Sequence, residues 1–66
     1  MENIVGIRIR ERRKELNMKQ EDLAKTCNVS RATISALENG KSDNVLLGTI
    51  ISIAKALKVP ADYFFA

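Results

Sequence analysis

Arg31 stands in a strip of small polar side chains, with Ser30 before it, Thr33 two residues on, Ser35 one turn further, and alanines at positions 32 and 36. A guanidinium with a fixed fork of donors beside several hydroxyls is suited to recognising a ligand by hydrogen bonds. It is not suited to transforming one. The chain has no histidine, no nucleophile beside a base and no glycine-rich phosphate loop, so acid–base, covalent and nucleotide chemistry all lack their parts. Cys27 is the single cysteine and reads as a small core residue rather than a redox switch or ligand, and nothing else supplies a metal site. Neither enzymatic activity nor a cofactor is expected. The chemistry on offer is binding.

Charge says where such binding belongs. The formal net charge is +3 and the pI near 9.4, which makes an anionic partner plausible. Nine Lys/Arg face six Asp/Glu between Met1 and Lys41, whereas Ser42 to Ala66 holds two of each, so the whole excess lies in the first two-thirds of the chain. A nucleic-acid surface is to be sought there. Sixty-six residues, 45% hydrophobic and 29% charged, make one globular domain over 1–66. A lone cysteine rules out an internal disulfide framework and favours a reducing, cytoplasmic setting. Apolar runs of a few residues fall far below the roughly 18 needed to span a bilayer, and no leader pattern opens the chain, so no membrane association is expected.

The elements that must position Arg31 are helical, because apolar residues recur three and four apart and strand alternation persists nowhere. A first helix is predicted from Ile4 to Glu15, burying Val5, Ile9 and Leu16 and ending at Asn17, a residue that tolerates the left-handed conformation. A second runs from Gln20 to Cys27 with Leu23, Ala24 and Cys27 inward, stapled by Met18. Asn28 turns the chain. Ser30 is the expected N-cap of a third helix, with Val29 and Ile34 as its staple, Ile34 and Leu37 buried, and Asn39-Gly40 as its end. A fourth helix is predicted over Leu47 to Leu57, burying Leu47, Ile50, Ile53, Ala54 and Leu57. Pro60 opens a short fifth over Ala61 to Phe65.

Residues 20–39 are therefore a short helix, a turn of about three residues and a capped second helix, a pair that cannot bury its own apolar faces and needs the helices around it. Ala24 allows close approach. The sequence resembles the Cro/phage-repressor helix-turn-helix family, also called the xenobiotic-response-element type, along essentially its whole length. The matching residues are Val5-Gly6-x-Arg8-Ile9-Arg10-x-x-Arg13-Lys14, Met18-x-Gln20-Glu21-x-Leu23-Ala24, Val29-Ser30-Arg31-x-Thr33-Ile34-Ser35, Leu37-Glu38-Asn39-Gly40-Lys41 and Ile53-Ala54-Lys55-Ala56-Leu57. Restriction–modification controller proteins and short phage repressors are the subgroups it looks most like. Asn17, Asn28 and Lys58 stand where the family often has glycine, and a lysine held at positive φ costs up to about 1 kcal/mol. The loop Ser42 to Leu46 looks about one residue longer than usual and lacks a clear N-cap.

The resemblance implies a compact, all-α, five-helix, lambda-repressor-like domain in which helices 2 and 3 form the helix-turn-helix. The recognition helix, 30–38, would enter the major groove of double-stranded DNA. Base contacts are then expected from Arg31, Ala32, Ser35 and Ala36, of which only Arg31 can pair bidentately with guanine. Backbone contacts are expected from Gln20, Ser30, Thr33, Asn39 and Lys41, with Lys19 or Arg10 as additions. Arg13 and Glu38 are implied as a structural ion pair, while Arg12 and Lys14 read as solvated. Tyr63, Phe64 and Phe65 are the chain's only aromatic residues; one or two complete the core, and the remainder with Ile51 are expected to form an isologous homodimer interface. The function implied is a sequence-specific transcriptional regulator, a repressor or controller, on a two-fold-symmetric operator, blocking or recruiting RNA polymerase. The alternative is a protein-interaction module on the same scaffold, an antitoxin, anti-repressor or bridging factor, to which the two outward alanines of helix 3 lend weight.

Overall fold

The computed structural model describes residues 4–41 and 47–65, which form α1 (Ile4–Glu15), α2 (Gln20–Cys27), α3 (Arg31–Glu38), α4 (Leu47–Leu57) and a 3-10 turn, η1 (Ala61–Phe65). The loop Ser42 to Leu46 lies outside the described residues. All four α-helices stop by one device. A residue just past each helix adopts the left-handed conformation: Asn17 (φ 56°), Asn28 (58°), Gly40 (68°) and Lys58 (60°). The next amide then folds back five residues, Met18 to the Arg13 carbonyl, Val29 to Ala24, Lys41 to Ala36 and Val59 to Ala54, at 2.9–3.0 Å. Carbonyls that the helix itself leaves unpaired are satisfied in this way. Glycine and asparagine enter that region at little cost; Lys58 does not, and its strain is held in place by the turn around it.

Helix starts are equally local. The Lys19 amide donates to the Asp22 carboxylate at 2.9 Å, which puts an anion in the first turn of α2, where the helix dipole favours one. Ser30 Oγ accepts from the Thr33 amide at 3.2 Å and caps α3.

These short helices survive because each buries one face. Ile9, Leu23, Ala24, Ile34, Leu37, Ile50, Ile53, Ala54, Leu57 and Phe64 make the core, with Val5, Leu16, Met18, Cys27 and Val29 packed around it. Each fully buried Leu, Ile or Phe contributes about 1.5–3 kcal/mol relative to exposure. Helix α2 lies against α3 and α4, and α1 lies against α3 and η1, so the helix-turn-helix pair is clamped from both sides.

Five α-helices were expected and four occur among the described residues, because the last segment is a 3-10 turn. Pro60 fixes φ and offers a carbonyl that Tyr63 N–H reaches at 3.0 Å, an i→i+3 bond that winds the segment as a 3-10 turn. The turn drives Phe64 into the core at zero exposure. Phe64 therefore drops out of the expected dimer interface, since it offers no surface to a partner. Tyr63 is half-buried, meets Phe64 edge-on at 5.4 Å and carries the Arg8 guanidinium 5.7 Å above its ring, while Phe65 is 61% exposed. Leu47 was expected in the core and is instead exposed, at the first turn of α4. Arg12 is not simply solvated either: its Nε donates to the Leu57 carbonyl at 3.0 Å and ties α1 to the C-terminus of α4, where a cation suits the dipole. Lys14 is exposed.

Candidate nucleic-acid interface

Helix α3 has two faces of different character. Ile34, Leu37 and Glu38 are buried; Arg31, Ala32 and Thr33 are exposed, and Ser35 and Ala36 are half-buried beside them. The outward residues fall at 31, 32, 35 and 36, one strip along a helix with 3.6 residues per turn. Ser30, Asn39 and Lys41, at the two ends of the strip, are exposed.

The strip is braced from behind by one buried carboxylate. Glu38 accepts a bidentate fork from Arg13, Nε to Oε2 at 2.8 Å and Nη2 to Oε1 at 3.0 Å, while Arg13 Nη1 donates to the Met18 carbonyl at 2.8 Å. The side chains of Arg13 and Glu38 are 11% and 1% exposed. Gln20 Nε2 donates to Glu38 Oε1 at 3.2 Å, and Gln20 Oε1 accepts from Arg31 Nη1 at 3.0 Å. Arg10 approaches the same carboxylate at 3.6 Å and donates to the Glu38 carbonyl and to Asn39 Oδ1, both at 3.2 Å. Asn39 Nδ2 completes the chain by donating to the Ser35 carbonyl at 2.9 Å and to Ser35 Oγ at 3.3 Å. Burial on its own would raise the Glu38 pKa. The hydrogen bonds from Arg13 and Gln20 and the charges of Arg13 and Arg10 outweigh it and hold the carboxyl below its ordinary range.

One network thus joins α1, α2 and α3 and reaches four of the sequence-selected surface residues, Gln20, Arg31, Ser35 and Asn39. Ser30 and Thr33 form a separate pair at the N-terminus of α3, their hydroxyls 2.9 Å apart. Ile51, 39% exposed, and Phe65 lie on α4 and η1, elements that pack on one another, away from this strip in sequence. Reading the sequence missed two roles. Gln20, expected at a phosphate, also links Glu38 to Arg31 through one hydrogen bond at each end of its side-chain amide, and Arg10, an optional phosphate contact, also braces Asn39. The spacing of Gln20 and Arg31 carries no signal of their contact, which exists only once α2 and α3 cross. Cys27 is half-buried against the core, and burial pushes its thiol pKa up, consistent with a packing role. Among the described residues no helix is long and apolar enough to cross a membrane, and no cluster of three or more metal-ligating side chains occurs.

A two-helix unit whose second helix exposes a polar strip carrying Arg31, clamped inside a small helical domain, has the architecture of the helix-turn-helix class. The family model described as "Helix-turn-helix" matches residues 9–64, and the chain belongs to that family, in its Cro/phage-repressor branch. A protein of Rhodospirillum rubrum, described as an uncharacterized transcriptional regulator in the ATPase CF(0) region, is 44% identical over 62 residues, 94% of this chain. The chain spans 56% of that relative's length. Among solved structures, the restriction-modification controller protein C.AhdI from Aeromonas hydrophila superposes with a TM-score of 0.89 at 32% identity, covering 94% of this chain and 92% of its own. The P22 c2 repressor in complex with a synthetic operator superposes with a TM-score of 0.83 at 35% identity, covering 91% of this chain and 89% of its own.

Proposed function

We propose that this chain is a sequence-specific DNA-binding transcriptional regulator that acts in the cytoplasm as a homodimer, each protomer laying α3 into the major groove of one half of a two-fold-symmetric operator. Family membership and the likeness to an operator-bound repressor support the DNA-binding reading. The observation that carries it is the Arg31 strip braced by the Glu38 network, an exposed cationic helix face held rigid by a buried ion pair. Rigid placement matters because a base contact discriminates only when its donors are fixed relative to the groove.

In this reading Arg31 contacts guanine, Ala32 and Ala36 touch thymine methyls, and Ser35 bonds to a base. Ser30, Thr33, Lys41 and the backbone at the start of α2 anchor phosphates, with Arg10 and Asn39 at the far end of the strip. The exposed apolar side chains of Ile51, Leu47 and Phe65 supply the two-fold contact, with Tyr63 at its edge. With Lys41 and Arg10 as the cationic phosphate contacts of each protomer, the log–log salt slope is on the order of −4 for the dimer.

Selection of sites from a random duplex pool at about 150 mM salt tests this. A two-fold-symmetric motif with half-sites one helical turn apart, about 34–36 Å, is expected. Arg31→Ala should relax one defined position in each half, and Lys41→Ala should weaken all sequences alike. Folded protein that enriches no sequence would refute DNA reading and turn the search to a protein partner.

A further inference from the structure

Helix α1 turns an apolar stripe to solvent. Ile4 and Ile7 are 46% and 45% exposed, on the side opposite buried Ile9 and Arg13, and exposed Glu11 continues the stripe one turn further on. Ile4, Ile7, Arg8 and Glu11 line an open groove there. Helix α4 carries a second stripe of the same make-up: Leu47 and Ile51, 65% and 39% exposed, are followed by exposed Lys55. Each stripe is two aliphatic side chains with a charge at the C-terminal end, and the two charges are opposite. No ion pair among the described residues uses Glu11 or Lys55.

The spacings agree as well. At the rise of an α-helix, Ile4 to Glu11 spans about 10.5 Å and Leu47 to Lys55 about 12 Å. Laid side by side in the same direction, Ile4 meets Leu47, Ile7 meets Ile51 and Glu11 meets Lys55. Reversing one helix would set Glu11 against Leu47 and Lys55 against Ile4, a charge against an aliphatic side chain at both ends. Both stripes are exposed in the protomer, so what covers them comes from another molecule. Helices α1 and α4 also pack on one common segment, η1, which carries exposed Phe65. Resting on the homodimer reading, we propose that the surface Leu47 and Ile51 meet is α1 of the second copy. Helix α4 of each protomer lies along the Ile4–Ile7 groove of the other, and the two-fold axis makes the contact twice, with a Glu11–Lys55 ion pair closing each. The α1 stripe, which has no part in reading DNA, is then the other half of the dimer interface.

Charge reversal tests this without DNA, by sedimentation equilibrium of the full chain. Glu11→Lys alone and Lys55→Glu alone should each weaken self-association by about fivefold or more, because two attractive pairs become two repulsive ones. An equimolar mixture of the two variants should recover the parent's dimer affinity to within about threefold, since one chain then offers lysine at both positions and the other glutamate. Ile7→Ser should weaken the dimer by a similar factor through the apolar half of the contact. All three side chains are exposed, so circular dichroism of the variants should match the parent. A parent that dimerises while Glu11→Lys and Ile7→Ser leave its association unchanged would overturn the inference and leave the homodimer standing, as would reversal variants that fail to recover on mixing. Assembly that grows beyond the dimer would overturn the reciprocal arrangement. A parent that stays monomeric would overturn the homodimer reading itself.

Discussion

Replacing Glu38 by alanine removes the group on which three helices converge. Three charge-assisted hydrogen bonds go with it, two from Arg13 and one from Gln20, and the approach of Arg10 at 3.6 Å loses its target. Arg13, whose side chain is 11% exposed, keeps only the Met18 carbonyl and becomes a nearly buried cation without an anion. Breaking a buried pair from one side costs about 3–5 kcal/mol. A domain of 66 residues has roughly 3–10 kcal/mol of stability in total, so the loss takes about a third of it or more. Urea denaturation followed by circular dichroism measures this directly, with a midpoint lowered by about 3 M or more for a slope near 1 kcal/mol/M. The double variant Arg13→Met, Glu38→Leu separates mechanism from mere disturbance. It buries no charge and should recover most of the loss. A Glu38→Ala protein within about 1 kcal/mol of the parent, or a double variant no more stable than Glu38→Ala, would refute the claim that this ion pair holds the domain together.

Three further outcomes follow from the same structure. Because the Glu38 pKa is lowered by folding, its contribution is fully present above the ordinary glutamate value of about 4.3 and lost as pH falls through the lower folded value. The stability difference between parent and Glu38→Gln, read from urea midpoints, should therefore be constant from pH 7 to 5 and shrink below about pH 4. Lys58→Gly relieves a side chain held at φ 60° and should raise stability by up to about 1 kcal/mol, or about 4–8 °C in Tm; no change or a decrease would count against strain there. Phe64→Ala should cost about 3–5 kcal/mol, whereas Phe65→Ser should leave monomer stability within about 0.5 kcal/mol and weaken self-association in sedimentation equilibrium.

The helix limits were legible because their causes are local. Asn17, Asn28 and Gly40 announce left-handed caps by residue type, and Ser30 announces a start. Lys58 announces nothing of the kind; only its place in the family pattern suggested a turn. The outward positions of α3 were legible from the 3.6-residue period, since Ile34 and Leu37 fix which side faces in. What was hidden depends on elements meeting. The Gln20–Arg31 and Arg12–Leu57 contacts join residues 11 and 45 apart, and no pattern within either helix implies them. Which of Tyr63, Phe64 and Phe65 fills the core depends on the twist of a five-residue turn, where an α-helix and a 3-10 helix send the same side chain in different directions.

The central claim is that α3 reads sequence, and the direct measurement is the ratio of affinities for the selected duplex and a scrambled duplex of equal length at 150 mM salt, for the parent and for Arg31→Ala. A ratio of about 10³ or more for the parent, cut at least tenfold by Arg31→Ala, is the predicted result. A parent that binds both duplexes equally would contradict the account.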